Sequence, residues 1–241
     1  MAKFDISPEM SVGALVAEYP ATMRMLEALG IDYCCGGKLP LAEAARAANV
    51  PVETVMAVLR TAIAQAQQAP AIERNWQQAP LDELMDHIVQ AHHTYMHAEL
   101  PRIGQMLEKV GHAHGAAHGG MLAELSEVFK TLRAEIEEHL AKEEDVTFPA
   151  IRLLLVGQVD ERVQRTVREL EHEHEVAGAA LARMREITND YALPEDACTT
   201  YAGLFTALQD LERDLHQHIH LENNILFPRV RQLAASQGKA A

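Results

Sequence analysis

The chain has 241 residues, 48% of them hydrophobic and 5% aromatic, and a formal net charge of -14. That length admits one or two domains with a real core, and the acidic balance argues against nucleic acid or an anionic membrane surface as the main partner. No apolar stretch approaches the ~20 residues of a membrane span, the start MAKFDISPEM has no signal-type segment, and three cysteines give no disulfide framework, so the expected setting is cytoplasmic, with no membrane partner.

Ala, Leu, Glu, Met and Gln are plentiful and β-type alternation is scarce, which predicts an all-α protein. Residues 1–68 read as a small helical module. Ser11 can cap a helix over 12–18, and a second helix over 20–29 stops at Gly30, a suitable left-handed cap. Asp32-Tyr33-Cys34-Cys35-Gly36-Gly37-Lys38 reads as a tight turn through its glycines. Helices over 40–48 and 51–68 follow, the latter with Pro51 in its first turn. Residues 69–80, flanked by prolines, read as a linker.

From 81 to 235 four long helical patterns follow, at 81–110, 120–147, 158–189 and 195–232. The glycine-rich segment 111–120 and the turn 190–195 separate them, and Pro101, Pro149 and Pro228 should kink or end their helices. Four helices with short connections predict an up-down-up-down bundle.

This second region is internally duplicated. HLAKEEDVTFPAIR (139–152) lies in register with HIHLENNILFPRVR (218–231) without a gap. Each copy has His-x-x-x-Glu (His139 with Glu143, His218 with Glu222), which places imidazole and carboxylate on one helix face. Each copy is preceded by a helix with one aligned histidine. His93 has Leu100 and Arg102 at the offsets at which His174 has Leu181 and Arg183. Two such hairpins would bring His93, His139, Glu143, His174, His218 and Glu222 together.

Four imidazoles and two carboxylates without thiolate suit iron, manganese or zinc better than copper(I) or an iron–sulfur cluster. Two bridging glutamates, two histidines per ion and an oxo or hydroxo bridge give each ion five ligands, leaving an octahedral iron one open position. A lone His-x-x-x-Glu is usually a surface pair; the doubling reverses that preference. His216, His220, His172 and His92 lie off the repeat and are set aside. Glu135 and Asp214, one turn before His139 and His218, can accept the other imidazole N–H or belong to a solvated acidic face. His112, His114 and His118 read as part of a flexible loop.

Cys34 and Cys35 are too close in sequence for an unstrained disulfide and form no C-x-x-C pair. They read as thiols that hand over or accept iron, as redox-sensitive thiols favoured by exposure and by Lys38, or as a small buried turn. Cys198 reads as structural.

DYCCGGK, HAELP, HLAKEEDVTFP, EHEHEVAG and HIHLENNILFP together resemble the di-iron iron–sulfur cluster repair proteins of the repair-of-iron-centres, or ScdA, type. The resemblance covers nearly the whole chain. It implies an ScdA-like N-terminal domain and a hemerythrin-like four-helix bundle, with two iron ions on the same six residues and both glutamates bridging. The paired cysteines fall on Cys34 and Cys35. It also implies a role in recovering clusters damaged by nitric oxide or peroxide, with iron–sulfur client proteins as partners. Three activities stay open: iron donation, reduction of NO with electrons from a partner, and carriage or sensing of NO or O2. A monomer and a homodimer are both compatible.

Overall fold

The computed structural model describes residues 6–66, 74–158 and 162–237. Every regular element among them is helical, apart from one isolated bridge between Ser11 and Pro40. The protein is all-α, as expected. It divides into two compact units, one made of residues 1–85 with 216–232 and the other of residues 86–215 with 233–241.

In the first unit, α1 (Val12–Glu18) is capped by the Ser11 hydroxyl, which accepts from the Ala14 amide. A 3-10 turn (Pro20–Thr22) leads into α2 (Met23–Ala28), which ends at Gly30 with φ +67°, the left-handed conformation that favours glycine. Helices α3 (Leu41–Ala47) and α4 (Val52–Ala66) follow; the expected end of the latter at 68, and residues 69–73 of the linker, lie outside the described residues. Leu15, Leu26, Tyr33, Leu41, Val55 and Leu59 share one core with Ile219 of the late helix.

The turn after Ile31 owes its shape to an aspartate more than to its glycines. The Asp32 carboxylate accepts from the amides of Cys34 (2.9 Å), Cys35 (3.0 Å) and Gly36 (2.8 Å), an aspartate-anchored turn that ties down three successive N–H groups.

The later helices are α5 (Leu81–Ile88), α6 (Thr94–Lys142), α7 (Phe148–Leu155), α8 (Arg162–Ile187), α9 (Thr199–Leu221) and α10 (Phe227–Gln237). Three π-helical segments interrupt them, at Val89–His93, Glu143–Thr147 and Glu222–Leu226. Such wide turns cluster at functional sites. Pro149 and Pro228 stand at the second position of the helices that restart after two of them. Pro101 does not end its helix. It stays inside α6 without a break, since a proline removes only one hydrogen bond, here to the carbonyl of the exposed His97.

The glycine-rich segment 111–120 also differs from its reading as a loop. It is helical except at His118 (φ -125°, ψ 16°). The chain folds back at that residue, because Gly104 lies against Arg133 and Phe129, residues that a straight helix would hold roughly 40 Å away. One break suffices for a hairpin, and it is held from outside. His118 Nε2 lies 2.8 Å from Asp196, and the His114 ring packs edge-on against Tyr201. Each glycine costs about 1 kcal/mol in a helix, which those contacts and the core beneath offset. The turn near 190 is present as read, with Asn189, Asp190 and Tyr191 at positive φ.

The core of the second unit is laid down at alternating spacings of three and four. Met96, Leu100, Ile103, Leu107 and Val110 form one stripe, and Leu122, Leu125, Phe129, Leu132, Ile136 and Leu140 its partner.

Candidate metal centre

The same spacing explains where the ligand candidates sit. His93 precedes Met96 and Leu100 on its stripe. His139 and Glu143 extend Leu132 and Ile136. His174 lies between Leu170 and Ala177, and His218 and Glu222 extend Leu208, Leu211 and Leu215. All six residues are therefore buried, Glu143 and Glu222 completely. The helical period that builds an apolar core has been given polar residues at its end.

In the second unit the donors converge on Glu143. Its Oε2 lies 3.3 Å from His93 Nε2 and 3.4 Å from His139 Nε2. His174 Nε2 lies 3.1 Å from His139 Nε2. Donor atoms of His139, Glu143 and His174 fall within 4.8 Å of one another. In the first unit, His218 Nε2 lies 3.4 Å from Glu222 Oε1, repeating the His139–Glu143 geometry one repeat later.

The outer imidazole nitrogens are spoken for. His93 Nδ1 lies 2.8 Å from Glu144, and His139 Nδ1 lies 2.8 Å from Glu173. A carboxylate only accepts, so Nδ1 is the nitrogen that donates in each ring, and Nε2 is the ring atom on the Glu143 side. A fully buried carboxylate with two imidazole nitrogens 3.3 and 3.4 Å away is a donor set suited to a cation. Its nitrogen and oxygen donors, with no sulfur among them, fit iron. Glu173 also pairs with Lys142. The hydrogen bond from His139, ahead of that from Lys142, holds the Glu173 carboxyl down at about 2.

Glu144 and Glu173 are the supporting carboxylates that sequence reasoning missed. Glu144 aligns with Asn223 in the repeat and Glu173 with His92, so the register that selects the six ligand candidates does not carry them. Adjacency was the available signal, since each directly neighbours a ligand candidate. The residues expected in this role sit elsewhere. Glu135 is exposed, and the carboxylate on His139 is Glu173. Asp214 lies 2.9 Å from Nδ1 of His92, which accounts for the buried His92.

The remaining histidines are also placed. His172 is exposed beside Glu175. His216 and His220 both meet the Tyr33 ring edge-on, and burial pushes His220 down to about 4, so it is a neutral core residue.

Of the readings open for the paired cysteines, Cys34 matches the small buried turn. Cys34 is buried, with its Sγ 3.2 Å from Asp32 and 3.9 Å from Cys35 Sγ, while Cys35 is half-buried. The Cys35 thiol and then burial push the Cys34 thiol well up, so it is protonated at neutral pH. Cys198, read as structural, is instead exposed and drawn down to about 7, chiefly by His114.

The hemerythrin HHE cation-binding domain matches residues 84–230, and ScdA_N, a domain of unknown function (DUF542), matches residues 8–63. Three relatives called iron-sulfur cluster repair protein YtfE are each 34% identical to the chain. The protein of Dickeya chrysanthemi (strain Ech1591) aligns over 92% of this chain and 96% of its own. Those of Yersinia pseudotuberculosis (serotype IB, strain PB1/+) and Yersinia pestis (strain Pestoides F) align over 91% and 95%. The chain belongs to the di-iron iron–sulfur cluster repair family, which joins an ScdA_N domain to a hemerythrin-like domain. The HHE domain and the buried His/Glu groups fit a di-iron centre.

Proposed function

We propose that the protein stores two irons in its hemerythrin-like domain and supplies iron to iron–sulfur proteins whose clusters nitrosative or oxidative stress has damaged. On this reading His93, His139, Glu143, His174, His218 and Glu222 would hold the irons. The observation that carries it is Glu143, fully buried between His93 and His139, whose outer nitrogens are held by Glu144 and Glu173. The name of the relatives, iron-sulfur cluster repair protein, agrees with a store of this kind.

The chain's own residues supply three things. The imidazole Nε2 atoms and the two carboxylates bind the metal. Glu144 and Glu173 orient the rings and fix their tautomers. The apolar stripe beside them keeps bulk water from the ligands. Bound iron is a Lewis acid that can also bind a small diatomic such as NO or O2.

Glu144 and Glu173 are each about one-third exposed. They join the Nδ1 sides of the buried rings to solvent. The modules 1–68 and 81–235, joined through 69–80, divide the labour: the bundle holds iron, and Cys34 and Cys35 act as transfer or redox thiols. Iron–sulfur client proteins, a cytoplasmic setting, a separate source of reductant and a monomeric or homodimeric state belong to the same proposal. Among the described residues no helix is long and apolar enough to cross a membrane.

The test mixes iron-loaded protein with an apo-cluster client, sulfide and a strong chelator. Cluster formation should outpace that seen with an equal amount of free iron. Equal rates would remove direct donation.

A further inference from the structure

Asn224 lies two residues beyond Glu222, in the π-helical segment Glu222–Leu226. Its amide nitrogen is 3.2 Å from the Tyr33 carbonyl, 3.3 Å from the Cys34 carbonyl and 3.2 Å from His220 Nδ1. The Tyr33 ring packs edge-on against His220 with centroids 5.6 Å apart. The amide therefore sits against the backbone of the twin-cysteine turn, on the helix that carries His218 and Glu222.

Two glycines make room for it. A Cβ at Gly13 or at Gly37 would collide with the Asn224 side chain, and the Gly13 amide donates to the Gly37 carbonyl at 2.8 Å. Neither position has a positive φ, so it is close approach, and not backbone freedom, that calls for glycine at both.

The repeat sharpens the point. Asn224 aligns with Asp145 of the first half, which is exposed. The two side chains have one shape, but only the amide can donate, and the groups facing position 224 include two carbonyl oxygens. The one-atom difference between the halves matches the surface that only the second half meets.

We propose that Asn224 is a positioning residue that pins the twin-cysteine turn to the iron-bearing helix and keeps the Cys34 thiol closed. The inference deepens the reading of Cys34 and Cys35 as working thiols. On it, Cys34 reacts only when the pin is released, and the residue that releases it is two positions from an iron ligand.

The experiment measures the rate at which a small disulfide reagent modifies Cys34 in the full-length, iron-loaded protein, with exposed Cys198 as internal reference. Asn224→Asp keeps the shape and removes both donors. Cys34 modification should rise at least about tenfold relative to Cys198, by the loss of two hydrogen bonds that hold the turn closed. The iron absorption band and the iron content should stay unchanged. The rise should also persist at low urea without steepening, which marks local opening and not loss of global stability.

An unchanged Cys34 rate overturns the proposal, and so does a rise that follows global unfolding. If Asn224→Asp does not fold, Gly13→Ala is read instead. It favours α1 by helix propensity and displaces the amide, with the same two outcomes. No cluster client takes part, so this inference and the repair function can fail separately.

Discussion

Removing the Glu173 carboxylate tests the logic of the metal centre at a residue outside the repeat. Glu173 holds His139 Nδ1 at 2.8 Å and pairs with Lys142. Its side chain is 32% exposed, so the stability that its ion pairs contribute is small, about 0–1 kcal/mol. Its effect on metal affinity should be larger. A carboxylate behind a ligating imidazole fixes the ring and raises its basicity, and losing one typically costs 10–100-fold in affinity, or roughly 1.4–2.7 kcal/mol. Glu173→Ala should therefore loosen one of the two irons by that factor while the melting midpoint of the iron-free protein moves by no more than about 2–4 °C. The assay is iron retained against increasing chelator, followed by absorbance, alongside thermal unfolding after the iron has been removed. Glu135→Ala is the control and should retain both irons as the unaltered protein does. Equal retention by Glu173→Ala, or greater loss from Glu135→Ala, would refute the assignment of Glu173 to His139.

Glu143→Ala should lower iron content sharply, while the iron-free protein melts at or above its usual temperature, because a buried carboxylate is costly without its cation; equal iron loading would take Glu143 out of the ligand set. His216→Ala and His220→Ala should leave two irons per chain, and loss of iron from either, measured by metal analysis, would show that the ligands lie on another helix face. The Cys198 thiol, drawn below its ordinary value by His114, should alkylate with half-maximal rate near pH 7, with reactivity gained as pH rises through that value. His114→Ala should move the midpoint up toward the ordinary thiol range, and an unmoved midpoint would contradict the pairing.

Much of this protein is legible in its sequence because its two strongest signals are periodic. The spacing of three and four marks the helices, and the register of 139–152 over 218–231 selects six residues that fall on buried stripes. What escapes the sequence is mostly tertiary. The segment 111–120 has the composition of a loop, yet a single break at His118 turns the chain, because Asp196 and Tyr201 hold it from a distant part of the sequence. Glu144 and Glu173 fall outside the repeat because each supports a ring on a different helix, a relation that sequence spacing does not encode. For Cys34 and Cys35 the sequence leaves exposed thiols and a small buried turn both open; the structure buries Cys34, with Gly37 taken up by Asn224, 187 positions further on.

Metal analysis of the protein purified without added metal, combined with its absorption spectrum, tests the di-iron centre most directly. Two irons per chain with the charge-transfer absorption of a bridged pair are expected, falling when any one of His93, His139, Glu143, His174, His218 or Glu222 is replaced by alanine. One zinc per chain, or iron content indifferent to those replacements, would contradict a di-iron centre.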